Sequence, residues 1–145
     1  MSEVGGGRLI LIVEDNDKNK KLTRDVLQFR GFRTVEATTG EDGVTLAGRH
    51  LPDLILMDIA LPGIDGVEAA QRLKAKPSTA PIPIVALTAS VMEADRARFG
   101  EAGFAGLIAK PIDVLTFPHQ VLAYCSTADG AEVTAPPRIL VVDDT

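Results

Sequence analysis

Short apolar runs alternate along the chain with longer stretches whose apolar positions recur at helical spacing. Leu9–Val13 is a continuous apolar run of strand length. Residues 17–30 follow, with Leu22, Val26 and Phe29 three and four apart. A strand pattern covers residues 32–37. A helical pattern covers 39–49, weakened by Gly40 and Gly43. The next runs predict a strand at 54–57, a helix at 66–75 and a strand at 82–87, entered through Pro81 and Pro83. A helix at 91–101, a strand at 105–109 and a final helix between Asp113 and Tyr124 complete the series. These are five βα units in a row. Strands that are apolar throughout, without alternation, suit a parallel sheet covered on both faces. Right-handed crossovers then give a doubly wound α/β sandwich. The pattern alone leaves the strand order open.

The final helix poses a local problem. Asp113 looks like its N-cap, but Pro118 would then remove a backbone donor from the helix interior. With Thr116 as cap, Pro118 falls in the first turn, where proline is tolerated. The helix is therefore expected to start late and end near Tyr124.

Beyond it the composition turns to Ser, Thr, Ala, Gly and Pro over residues 126–137, which reads as a linker. Arg138-Ile-Leu-Val-Val-Asp-Asp-Thr145 then repeats the opening Leu9-Ile-Leu-Ile-Val-Glu-Asp-Asn16. Asp144 aligns with Asp15, a period of 144 − 15 = 129 residues. The expected organisation is a flexible leader (1–7), one domain (8–125), a linker (126–137) and the first strand of a second domain of the same kind (138–145). That tail is expected to lie outside the core of the first domain.

Composition narrows the function classes. The 145 residues, 46% of them hydrophobic, suffice for one domain with a real core. A net charge of −5 argues against a nucleic-acid surface, which needs clustered Lys and Arg. The lone Cys125 cannot form an internal disulfide, so a cytoplasmic location is expected. No apolar run approaches the roughly 18 residues that span a membrane. The N-terminus lacks the basic and apolar regions of a signal peptide.

Candidate chemistry sits at strand ends. Glu14 and Asp15 follow the first strand, and Asp58 follows the third. In an open α/β sheet the ligand crevice lies at that edge, where strand order reverses. If the first and third strands are neighbours, the three carboxylates converge and need a cation. A hard divalent ion with oxygen ligands, Mg²⁺, is the natural one. Thr88 closes the fourth strand and Lys110 the fifth. A hydroxyl and an ammonium facing that cluster suit a transferring phosphoryl group, whose oxygens need donors and charge neutralisation.

Glu14-Asp15, Leu-Met-Asp58-Ile-Ala-Leu-Pro-Gly-Ile-Asp-Gly66, Thr88-Ala89 and Lys110-Pro111 together resemble the receiver domains of two-component response regulators, in order and spacing. The resemblance covers roughly residues 8 to 125 and implies a flavodoxin-like (βα)5 fold with strand order 2-1-3-4-5. It implies that Asp58 accepts a phosphoryl group from a kinase phosphohistidine in a Mg²⁺-dependent reaction. Asp15 would ligate the metal directly, Glu14 through water, and Ala60 through its backbone carbonyl. Lys110, the Thr88 hydroxyl and the Ala89 amide would contact the phosphoryl oxygens. Lys110-Pro111 would be a cis peptide, and Pro62-Gly63 and Gly66 would shape the loop beside the site. The implied partners are a sensor histidine kinase or phosphotransfer protein and further domains of the same chain, with a homodimer through the last helix as a further expectation. Such a domain catalyses only its own phosphorylation and dephosphorylation and is not an enzyme toward free substrates. Many receivers carry an aromatic residue three positions before the lysine, at the switch position; here that residue is Leu107.

Other readings fit less well. Asp15-Asn-Asp17-Lys-Asn19 opens like a calcium loop, but Lys20 stands where glycine is needed and Val26 where glutamate is needed. A haloacid-dehalogenase-like phosphatase also uses a strand-end Asp and Mg²⁺. It needs a second Asp two residues on as general acid, and Ala60 stands there. A pseudo-receiver that binds partners without phosphorylation is the alternative, and retention of Asp15, Asp58, Thr88 and Lys110 argues against it. His50 and His119 lie outside the cluster. Lys18, Lys20, Lys21 and Arg24 make the first helix basic, either as a solvated face or as a docking surface for a kinase.

Overall fold

The chain is described here from a computed structural model that covers residues 5–59, 61, 63–88, 102–110 and 112–133, with side chains through Cys125. Five parallel strands, β1 (Leu9–Val13), β2 (Arg33–Ala37), β3 (Leu54–Asp58), β4 (Ile84–Thr88) and β5 (Gly106–Ala109), form one sheet in the order β2-β1-β3-β4-β5. Every neighbouring pair is parallel. The expected strand order is therefore the observed one.

β3 and β4 are buried at every position, as their unbroken apolar runs require. Alternate strand residues feed two cores. Leu11, Val13, Ile55, Met57 and Ala86 pack with helices α2 (Gly40–His50) and α3 (Gly66–Lys74) on one face. Ile10, Ile12, Leu56, Val85 and Ile108 pack on the other with Leu27 of α1 (Asp17–Phe29) and Phe117 and Val121 of the C-terminal helix (Phe117–Val133). Each of the first three helices opens on a side-chain cap. Asn16, Thr39 and Asp65 accept from the backbone amides of Asn19, Asp42 and Glu68.

Two features depart from the sequence reading. The Leu22-Val26-Phe29 stripe that marks α1 is not its buried seam, which is Thr23 and Leu27. Leu22 is 43% and Phe29 87% exposed. The stripe lies one residue round the helix from the seam and faces the turn before the C-terminal helix.

That helix starts late, as Pro118 demands, at Phe117. The Thr116 carbonyl accepts the Gln120 amide at 3.0 Å, and the Asp113 carboxylate accepts the Leu115 amide at 2.9 Å in the preceding turn. It does not end near Tyr124, however, but runs to Val133, through two thirds of the segment read as a linker. The physical reason is that extending a packed helix avoids the cost of nucleation. Ala128, Ala131 and Glu132 favour helix, Gly130 costs only about 1 kcal/mol, and no proline intervenes before Pro136. The expected helix at 91–101, the first four leader residues and the repeat at 138–145 lie outside the described residues.

Candidate metal and phosphoryl site

The site lies at the carboxyl ends of β1, β3, β4 and β5. β1 and β3 are neighbours, with Val13 opposite Met57, so Glu14, Asp15 and Asp58 emerge side by side. One carboxylate oxygen from each lies within 4.8 Å of the other two. Glu14 and Asp58 are buried and Asp15 is exposed, so the cluster opens to solvent on the Asp15 side. Three oxygens at this spacing fit a hard divalent cation, which would offset their mutual repulsion.

Lys110 closes the cluster from β5. Its Nζ stands 3.1 Å from Glu14 Oε1 and 3.2 Å from Asp58 Oδ2. The Lys110 amide donates to the Thr88 carbonyl at 2.8 Å, tying the end of β5 to the end of β4. Thr88 is buried. It follows Leu87, the register partner of Asp58, and so stands at the same sheet edge.

The charges here are strongly coupled. Burial pushes the Glu14 carboxyl above its ordinary 4.5, and hydrogen bonding and repulsion from Asp58 push the same way. The Asn16 amide, 3.1 Å from Glu14 Oε2, and Lys110 pull back without cancelling that rise. For Lys110, burial disfavours the ammonium, but the hydrogen bond to Glu14 and the attraction of Asp58 outweigh it and hold the group above its ordinary 10.5.

The backbone beneath Asp58 is shaped by Gly66. A Cβ there would stand 2.5 Å from the Asp58 carbonyl oxygen, so only glycine lets α3 start directly against the acid's own peptide. The Gly66 amide donates to the Ile59 carbonyl at 3.1 Å, and Gly63 takes a φ of 74°. Both glycines thus perform the loop-shaping job expected of them.

Of the expected site residues, Glu14, Asp15, Asp58 and Lys110 come together, with Thr88 at the same edge. Leu107 lies inside β5, half-buried against the α2–α3 face. Ala60, Pro62, Ala89 and the Lys110–Pro111 peptide involve residues outside those described. His50 and His119 are exposed.

Sequence reasoning offered the basic first helix as a docking surface but missed the apolar cavities along it. A cavity of about 210 Å³ reaches from Glu14 and Lys110 to Leu22 and Ile112. Another, of about 320 Å³, lies further along α1 between Val26, Phe29, Val114 and Leu115. Of the five exposed large hydrophobics among the described residues, only Leu51 is not on this side. Helical spacing finds such residues but does not say which way they face.

Comparison with known proteins gives the same picture. The response regulator receiver domain model matches residues 10–121. The polar-differentiation response regulator DivK of Brucella ovis is 40% identical over 119 residues, covering 82% of this chain and 97% of DivK. Among solved structures, the receiver domain of a sensor histidine kinase from Pseudomonas aeruginosa superposes with a TM-score of 0.77 at 32% identity. That match covers 83% of this chain and 98% of the other, which holds a magnesium ion in its active-site cleft. A response regulator from Chloroflexus aurantiacus superposes at 0.78 with 30% identity over 83% of this chain and 98% of its own. From the ordered acids, the sheet that gathers them and these matches, the chain belongs to the response regulator receiver domain family.

Proposed function

We propose that this domain accepts a phosphoryl group from a phosphohistidine onto Asp58 and changes conformation in response. The observation that carries the reading is the meeting of Glu14, Asp15 and Asp58 at one strand edge with Lys110 in contact with two of them. In the transfer, a carboxylate oxygen of Asp58 forms a bond to phosphorus as the phosphorus–nitrogen bond of the donor breaks. The electron pair of that bond stays on the imidazole nitrogen, and the product is an aspartyl phosphate.

Lys110 and the Thr88 hydroxyl then face the phosphoryl oxygens, joined by the Ala89 amide, and positioning with charge neutralisation does most of the work. Mg²⁺, held by Asp15, Asp58, the Ala60 carbonyl and, through water, Glu14, would neutralise the charge that these oxygens bring. The domain turns over no free substrate and catalyses only its own phosphorylation and dephosphorylation.

Receiver domains interact with histidine kinases and phosphotransfer proteins. We place such a donor on the groove beside α1. It adjoins Glu14 and Lys110, offers Leu22, Val26, Phe29 and Leu115 as apolar contacts, and is flanked by Lys21 and Arg24. Among the described residues no helix is long and apolar enough to cross a membrane; with the lone Cys125 this supports a cytoplasmic setting. Residues 8–125 are the phosphoaccepting unit, and further domains of the same chain would take the output.

Incubation with beryllofluoride or acetyl phosphate, with and without Mg²⁺, tests the reading. Wild type should form the adduct only with Mg²⁺, and Asp58→Asn should form none. An equal adduct in both proteins, or one indifferent to chelator, rules it out. No adduct in wild type favours the pseudo-receiver alternative.

A further inference from the structure

β5 carries more than Lys110. It is the shortest strand and lies at the sheet edge, paired only with β4. Leu107, at the switch position, packs against the α2–α3 face and has neither ring nor hydroxyl. Its neighbour Gly106 presents the opposite side of the strand, and there the Tyr124 ring of the C-terminal helix presses against it. A Cβ built on Gly106 would overlap the Tyr124 hydroxyl oxygen and the ring carbons Cζ and Cε1. The Tyr124 ring thus occupies the space of the missing side chain. The helix is held in this position by Phe117, Val121 and Cys125, all buried at four-residue intervals.

We propose that Tyr124 reads the phosphorylation state of Asp58 through Gly106 and passes it to the C-terminal helix. This regulation rests on the phosphoacceptor reading above. Lys110 bonds Glu14 and Asp58, and its amide is fixed to Thr88. A phosphoryl group on Asp58 draws the ammonium and the Thr88 hydroxyl toward new oxygens, which shifts the β4–β5 pair. No side chain at 106 cushions the ring from that shift. Packed interiors do not deform continuously, so a small strand displacement must move the ring or be resisted by it. The helix that carries Tyr124 runs on to Val133, so a displacement of the ring is passed along its backbone.

The chain has one tyrosine, so 3-fluorotyrosine labelling gives one protein resonance in the ¹⁹F spectrum. Bound beryllofluoride gives its own signals in the same spectrum. With Mg²⁺, the bound signals and a shift of the tyrosine resonance should appear together, and neither should appear in Asp58→Asn. Linkage adds a second measurement. A residue whose contacts differ between two states must change the affinity of whatever selects one of them. Tyr124→Leu should therefore change the apparent beryllofluoride affinity by about fivefold or more, in either direction, while Gln71→Ala, at an exposed position on α3, leaves it unchanged. Bound beryllofluoride with an unmoved tyrosine resonance overturns the proposal, and so does an affinity within about twofold of wild type in a folded Tyr124→Leu protein. Absence of any bound signal in wild type overturns the phosphoacceptor reading, and this inference with it.

Discussion

The Lys110 ammonium stands 3.1 Å from Glu14 Oε1, joining two residues 96 positions apart. The lysine also touches Asp58, so one cation serves two buried carboxylates. Removing it leaves both acids without that counter-charge. Lys110→Met should lower stability by roughly 3 kcal/mol in chelator at neutral pH, the low end for breaking a buried pair because the lysine is partly wet. Denaturant unfolding measures this. The loss should shrink in acid, where Glu14 takes up a proton and can donate to Asp58. A loss that is the same at both pH values counts against the electrostatic account.

Glu14 gives a pH dependence of definite sign. Its carboxyl is raised above the ordinary 4.5, chiefly by burial and then by Asp58. From 4.5 up to the raised value, the folded state keeps a proton that the unfolded state has released. Unfolding then releases protons, so this group makes stability fall as pH rises through the window. In chelator, Glu14→Gln should therefore gain on wild type as pH rises above 4.5 and hold its advantage at neutral pH. Mg²⁺ at saturating concentration should reverse the order, since a ligand that binds only the folded state stabilises it by mass action. Thermal melts across pH, with and without Mg²⁺, decide this. A wild type insensitive to Mg²⁺ would contradict the metal assignment.

Much of this was legible in the sequence because each signal is local. A strand-length apolar run followed by an acid puts that acid at the carboxyl edge of the sheet, as Val13-Glu14 and Met57-Asp58 do. The direction of a helix's apolar stripe is not local. Leu22 and Thr23 are sequence neighbours, yet packing buries the threonine and exposes the leucine. The fit of Tyr124 against Gly106 is less local still, because it joins a helix to a strand through the absence of a side chain. The end of the C-terminal helix escaped for another reason. Ser, Thr and Gly signal low burial as readily as loss of helix, and between Cys125 and Val133 the backbone stays helical.

Where this helix stops contributing to the core is testable. Its last described buried side chain is Cys125, 1% exposed, in the cluster with Phe117 and Val121. Truncation after Cys125 should shift Tm by only a few degrees, whereas Phe117→Ala should cost about 3–5 kcal/mol. A collapse of stability on truncation would place residues 126–145 in the domain core and overturn the assignment of residues 8–125 as the complete unit.

Phe29 separates stability from partner recognition. Its ring is 87% exposed beside Val26, Val114 and Leu115, so folding gains little from it. Phe29→Asp should change stability by no more than about 0.5 kcal/mol, the usual range for a surface substitution. Phosphorylation by acetyl phosphate should also be unchanged, because a small donor needs only the site at Asp58. Phosphotransfer from a protein donor should slow by an order of magnitude or more, because a buried carboxylate in the apolar groove carries a desolvation cost that the benzyl side chain does not. The comparison of the two donors on one variant is what discriminates. Equal slowing with both would mean that Phe29 acts through the site itself, and no slowing with either would move the donor's footprint off this face of α1.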